Sequence, residues 1–142
     1  MDVQLAQGDE EVERLLPVML QLRDNYDIDG LRQQIRLQRQ QGYQLAYVEA
    51  DGAVLSVAGF VIGHKLAWGK HLYIDDLVSV ASGRSLGAGK LLLDWCKRYA
   101  ADQGCAQLHL DSGVQRFRAH AFYLREGMMI SSHHFSIAGL AS

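Results

Sequence analysis

The stretch from Tyr73 to Tyr99, YIDDLVSVASGRSLGAGKLLLDWCKRY, constrains this chain most. Its first part, Leu72 to Val80, is rich in β-branched and aromatic residues and reads as a strand. Ala81 to Gly89 is a small-residue loop containing three glycines. Leu91, Leu92, Trp95, Cys96 and Tyr99 then recur at helical spacing. A strand that feeds small residues into a helix start leaves backbone N–H groups unpaired at the positive end of the helix dipole. Such a start accepts anions, phosphate above all.

Three phosphate-loop patterns compete for this stretch. A nucleotide P-loop needs a glycine, four residues, then Gly-Lys-Ser/Thr. Here Arg84 takes the place of the first glycine and Leu91 that of the magnesium-binding hydroxyl. A dinucleotide fingerprint needs Gly-x-Gly-x-x-Gly. Gly87 and Gly89 fit it, but Leu92 stands where the third glycine belongs. The pattern Arg/Gln-x-x-Gly-x-Gly/Ala before an apolar helix is met in full by Arg84-Ser85-Leu86-Gly87-Ala88-Gly89.

The remaining chain fits around this unit as one mixed α/β sheet without repeats, linkers or an internal boundary. Asp2 to Ala6 alternates as a short strand. Gly8 to Glu11 opens a helix with acids in its first turn, and Val12, Leu15, Leu16, Met19 and Leu22 form its apolar face. Pro17 is expected to kink or divide that helix. Asn25 to Gly30 is turn chemistry, followed by a mostly polar helix from Leu31 to Gln41 that is closed by Gly42. Tyr43 to Glu49 alternates as a strand, Asp51-Gly52 is a hairpin signal, and Val54 to Gly63 is a long apolar strand. Gly59 inside that strand marks a candidate bulge. After a turn from His64 to Lys70 comes the opening strand, so the centre is an antiparallel meander. Gln107 to Asp111 is a buried-type strand, joined to its predecessor through a helix, which implies parallel pairing and a right-handed crossover. Arg116 to Glu126 reads as a helix ended by Gly127, and Met128 to Ala138 as a last strand.

Composition narrows the function classes. The chain has 142 residues, 49% hydrophobic and 21% charged, which suits one globular domain with a core. A formal net charge of -2 and the lack of a basic run argue against nucleic acid as partner. The acidic opening MDVQLAQGDEEVERLL is unlike a secretory signal, and no apolar run approaches the ~18 residues of a membrane span. The two cysteines, Cys96 and Cys105, match neither a CxxC site nor a disulfide framework and read as reduced thiols of a cytoplasmic protein. The histidines form no His-x-His or His-x₃-His pair, so no metal is expected.

The sequence resembles the GNAT superfamily of N-acetyltransferases. The resemblance rests on the Arg84–Gly89 pattern, the strand Asp75–Val80 before it, and Leu110-Asp111-Ser112-Gly113 with Arg116, Ala119-His120, Phe122-Tyr123 and Gly127-Met128 after it. It is strongest from Leu72 to Met128. It implies a GNAT-like fold in which a meander leads into a βαβ crossover whose central strand pair splays apart. It also implies acetyl-CoA as acetyl donor. Its pyrophosphate would sit on Arg84, Ser85, Leu86, Gly87, Ala88, Gly89 and Lys90, and its pantetheine arm on Leu77, Val78, Ser79 and Val80. Ser112, Phe122 and Tyr123 would complete the donor site. Relatives often place an asparagine after the fifth strand; here Asp111-Ser112-Gly113 stands there, and Ser112 is the substitute.

Amine acetylation by a thioester needs a neutral amine, a polarised carbonyl and a proton for the leaving thiolate. By the resemblance, one amide near Leu77–Val78 polarises the carbonyl. Tyr123 is the candidate general acid, since a phenol of pKa ~10 matches a thiolate of ~8.5 or above. Asp75 and Asp76 are candidates for handling the amine proton and attracting a cationic acceptor. Adjacent strand residues point to opposite faces, so both reach one site only across a bulge. The expected function is direct acetyl transfer, in a ternary complex, to a primary amine of a small molecule or peptide: a small amine, a polyamine or a lysine side chain. The competing readings are a non-catalytic CoA-binding module and, with weaker support, a nucleotide-binding protein. Phe135 and Ile137 make the final segment a candidate for pairing across a homodimer.

Overall fold

A five-stranded sheet follows the chain in order: β1 (Asp2–Leu5), β2 (Gln44–Ala50), β3 (Ala53–Lys65), β4 (Gly69–Ser79) and β5 (Gln107–Leu110). The first four strands pair antiparallel, and β5 pairs parallel to β4. The computed structural model describes residues 1–141. Backbone contacts divide the chain into two compact units, Met1–Leu110 and a second beginning at Asp111.

In the first unit the sheet carries helices on both faces. The helices are α1 (Asp9–Leu22), α2 (Ile28–Gln40), a short α3 (Ala81–Ser85) and α4 (Ala88–Asp102). The alternation of β2 explains the layering. Leu45 and Tyr47 join Val12, Leu15, Leu16, Met19, Leu31 and Ile35 in the core under α1 and α2. On the α4 side, Phe60 meets Trp95 and Tyr99, and the Tyr99 hydroxyl donates to Gln44 Oε1 at 3.1 Å. Buried Leu92, Leu93 and Cys96 complete the inner face of α4. The hairpin at Asp51-Gly52 has φ of 52° and 78°, as a type I′ turn requires.

In this unit α1, α2 and the glycine loop differ from the sequence expectation. α1 runs unbroken through Pro17. Pro17 is exposed while its neighbours Leu16 and Val18 are buried, so water can satisfy the carbonyl its missing N–H leaves free, and the packed face holds the helix together. α2 starts three residues early, because Asp27 caps it by accepting from the Gly30 N–H at 2.7 Å. The loop Ala81–Gly89 contains a helical turn of its own, α3. Its start is fixed by the Val80 N–H on the Leu55 carbonyl and the Arg84 N–H on the Val80 carbonyl.

The second unit contains α5 (Phe117–Arg125), followed by Gly127 at φ 90°. The strand expected over Met128–Ala138 does not form: residues 128–141 adopt no regular structure. Alternation alone does not make a strand, which also needs a hydrogen-bonded neighbour. No described helix is long and apolar enough to cross a membrane.

Candidate functional site

The geometry of the site begins with one extra residue in β4. Gly59 pairs with Asp76, but the next residue, Phe60, pairs with Ile74. Asp75 is therefore the bulged residue, and the phase of the strand flips there. Before the bulge, buried Leu72 and Ile74 lie on the α4 side with Phe60. After it, Val78 and Val80 pack with the core under α1 and α2. The bulge thus brings Asp75 and Asp76, which strict alternation would separate, to one cavity of about 360 Å³. Met19, Leu31 and Ile35 form its apolar wall, and Asn25, Gln34 and Gln38 contribute amides.

Asp76 is held on both carboxylate oxygens. Arg23, the C-cap of α1, donates from Nε to Oδ1 at 2.8 Å, and the Tyr43 hydroxyl donates to Oδ2 at 2.5 Å. Arg23 also donates through Nη2 to the Asp75 carbonyl at 3.0 Å, which pins the bulge itself. Burial first, then the charge of Asp76, pushes the Tyr43 phenol well above its ordinary pKa, so it stays a donor. The carboxylate of Asp75 has no hydrogen-bond or ion-pair partner among the described residues. Partial burial and then Asp76 raise its pKa, against a lowering by Arg23.

Sequence reasoning did not single out Arg23 or Tyr43. Gly59 carried the signal for Tyr43. A Cβ there would lie 1.7 Å from the Tyr43 hydroxyl, so glycine is the residue that lets the phenol cross the strand to Asp76. Arg23 sits four residues after Met19 and continues the inward stripe of α1.

A second feature of the site is an unpaired backbone edge. β5 pairs with β4 only from His71 to Ile74, so from Asp75 to Ser79 β4 bonds to β3 alone among the described residues. The Val80 N–H is committed to the Leu55 carbonyl at 2.9 Å, and the Val78 carbonyl accepts from Ser56 Oγ at 3.0 Å. Antiparallel pairing alternates by two residues, so Val78 and Val80 face β3, while Leu77 and Ser79 present their N–H and C=O groups to the open edge. Of the four residues expected along the pantetheine arm, two have free backbone groups on that side.

The strand then leads into the glycine loop. Gly83 is buried, and a Cβ there would lie 2.5 Å from the Leu55 carbonyl, so glycine lets α3 lie directly on β3. Arg84 and Ser85 belong to α3, and Ser85 Oγ donates to the Ser82 carbonyl at 2.9 Å. Leu86 is exposed and Gly87, at φ 76°, begins α4 without a side-chain cap. The Leu91 N–H makes the first bond back, to the Gly87 carbonyl. Helix geometry therefore leaves the amides of Ala88 and Gly89 without intrahelical acceptors, a fitting cradle for a pyrophosphate. Lys90 Nζ lies 3.2 Å from Asp94 in the same turn.

In the second unit, Ser112 Oγ is buried without a hydrogen-bond partner among the described residues. Phe122 and Tyr123 lie half-buried on α5 with ring centroids 5.4 Å apart. Burial raises the Tyr123 phenol pKa, with a smaller lowering by Arg116.

An open strand edge that runs into an amide-rich helix start, beside an acid-lined cavity, is the frame of an acyltransferase. The sequence profile of the acetyltransferase (GNAT) family matches residues 10–128. An N-acetyltransferase of Bacillus subtilis (strain 168), YhdJ, itself described as uncharacterized, is 34% identical over 128 residues, covering 89% of this chain and 90% of that protein. Aminoglycoside N-acetyltransferase AAC(6')-Iy, in complex with CoA, superposes with a TM-score of 0.85 at 15% identity over 99% of this chain and 95% of that one. The ribosomal-protein-alanine N-acetyltransferase of Brucella melitensis biovar Abortus 2308 gives 0.83 at 14% identity over 98% and 100%. These two likenesses speak for the fold. The chain belongs to the acetyltransferase (GNAT) family and is an acetyl-CoA-dependent N-acetyltransferase.

Proposed function

We propose that the protein moves the acetyl group of acetyl-CoA to a primary amine of a small molecule or peptide, directly, in a ternary complex. The observation that carries this reading is the bulge at Asp75, which opens an acid-lined cavity beside the unpaired edge of β4. In this reading acetyl-CoA supplies the thioester, and its amide-bearing arm takes the edge at Leu77 and Ser79. Ala88 and Gly89 donate amides to its pyrophosphate, with Lys90 following them in the first turn of α4 and Arg84, Ser85 and Leu86 shaping the turn before them. The Leu77 amide donates to the acetyl carbonyl and Ser112 Oγ to the donor. Asp75 holds the acceptor ammonium and, through water, takes its proton. The amine nitrogen bonds to the carbonyl carbon and the C–S bond breaks; Tyr123 gives its phenolic proton to the departing sulfur and regains one, through water, from the second N–H that the acetylated nitrogen loses.

Cys96 is not suited to carry the acetyl group. Burial pushes the Cys96 thiol up to about 12, which keeps it protonated and inert. Both cysteines are free thiols, in keeping with work in the cytoplasm. Among the described residues no group of three or more His, Cys, Asp or Glu side chains is placed to hold a metal ion. Met129, Ile130, Phe135 and Ile137 expose apolar side chains, which supports a homodimer built on this segment.

The test is CoA release with acetyl-CoA and a panel of amines. Intersecting double-reciprocal lines are expected, whereas parallel lines would show an acetyl-enzyme. Tyr123→Phe should lower kcat about 10- to 100-fold with acetyl-CoA affinity unchanged. Stabilisation by acetyl-CoA without CoA release from any amine would favour a non-catalytic CoA-binding module instead.

A further inference from the structure

We propose that the acceptor cavity selects amines carrying a single positive charge and rejects those carrying two or more. The inference rests on the cavity being the acceptor site. The charged side chains that line it are Arg23, Asp75 and Asp76, a net of one negative charge. They are not equivalent. Both oxygens of Asp76 are occupied, by the Arg23 guanidinium and by the Tyr43 hydroxyl, and its side chain is only 13% exposed. Its charge is already compensated. Asp75 keeps an unpartnered carboxylate on the same cavity and is the group left to meet an ammonium.

The rest of the wall has no second anion. An acceptor anchored on Asp75 would lay its remaining length against Met19, Leu31 and Ile35, with the amides of Gln34 and Gln38 in reach of hydroxyl or carbonyl groups. A second ammonium would meet the Arg23 charge and a carboxylate that Arg23 already neutralises. Like charges in a partly buried cavity are incompletely screened and repel by an amount that selects between ligands. Arg23 thereby acts as a specificity-determining residue: it fixes the number of free negative charges at one.

The experiment compares a terminal amino alcohol with the terminal diamine of the same five-carbon chain, so that length and polarity match and charge differs. kcat/KM is measured for both, and calorimetric titration of both onto the CoA complex gives the ratio of their dissociation constants without turnover. The amino alcohol should be preferred by roughly tenfold or more. Arg23→Gln releases Asp76 and should shift the ratio about tenfold toward the diamine, while Arg23→Lys should retain the original preference. A diamine favoured by the unaltered protein, or a ratio unmoved by Arg23→Gln, would overturn the proposal. Absence of CoA release with a normal binding ratio would instead overturn the catalytic reading and leave the charge selection standing.

Discussion

Gly59 and Tyr43 show how one residue without a side chain sets another's chemistry. The Tyr43 ring crosses β3 where a Cβ would stand 1.7 Å from its hydroxyl and 2.3 Å from Cζ. Gly59→Ala should therefore destabilise the fold by about 1–3 kcal/mol in urea unfolding. Combined with Tyr43→Ala it should cost clearly less than the two changes summed, because both act on one contact. Asp75 behaves oppositely to a stabilising carboxylate. Its pKa is raised in the fold, so the folded state binds its proton more tightly than the unfolded chain does. The stability it contributes is present below the unfolded pKa and is lost as pH rises through the folded one. Asp75→Asn should accordingly raise Tm at about pH 7, with the gain vanishing near about pH 3. In the proposed mechanism the ionised form anchors the amine, so the same variant should lose the acid limb of kcat/KM. A change that stabilises the protein and impairs it marks a group kept for function.

At the scale of elements, α1 and the glycine loop carry opposite lessons. Pro17 sits on the exposed side of a helix that persists around it, so Pro17→Ala should stabilise the protein by about 1–3 kcal/mol, read as a higher unfolding midpoint. Gly83→Ala places a Cβ 2.5 Å from the Leu55 carbonyl and should lift α3 off β3. Its expected signature is weaker acetyl-CoA binding, about tenfold in calorimetry, with the glycines at 87 and 89 untouched. The loop pattern at Arg84–Gly89 was legible because backbone requirements leave glycines at fixed spacing. The hairpin at Asp51-Gly52 was legible for the same reason. α3 was not, because short helical turns carry no periodicity of their own. The pocket was half legible. Two adjacent acids in a strand posed the question of a bulge, and Gly59 marked where it falls. Arg23 and Tyr43 stayed hidden because their partner Asp76 lies 53 and 33 residues away, and only the folded sheet brings them together.

For the whole molecule, the order of strands was readable from alternation and turn residues, and the pairing bears it out up to β5. The last segment departs from its sequence pattern for a reason of scale. Its apolar alternation satisfies the local rule for a strand, but sheet formation depends on a neighbour elsewhere. If the segment finds one in a second copy, Phe135→Ser with Ile137→Ser should turn a dimer into a monomer in light scattering, with CoA release per chain as the companion readout. The unpaired length of β4 has a consequence of a different kind. An open strand edge is a template for any chain with free amides, including an aggregating one. By occupying it, the donor would act as a missing strand, and the protein would be safest from self-association when charged with its substrate. Deuterium exchange at Leu77 and Ser79 should be fast in the free protein and slow on adding acetyl-CoA, while Val78 and Val80, bonded inward to β3, should hardly change.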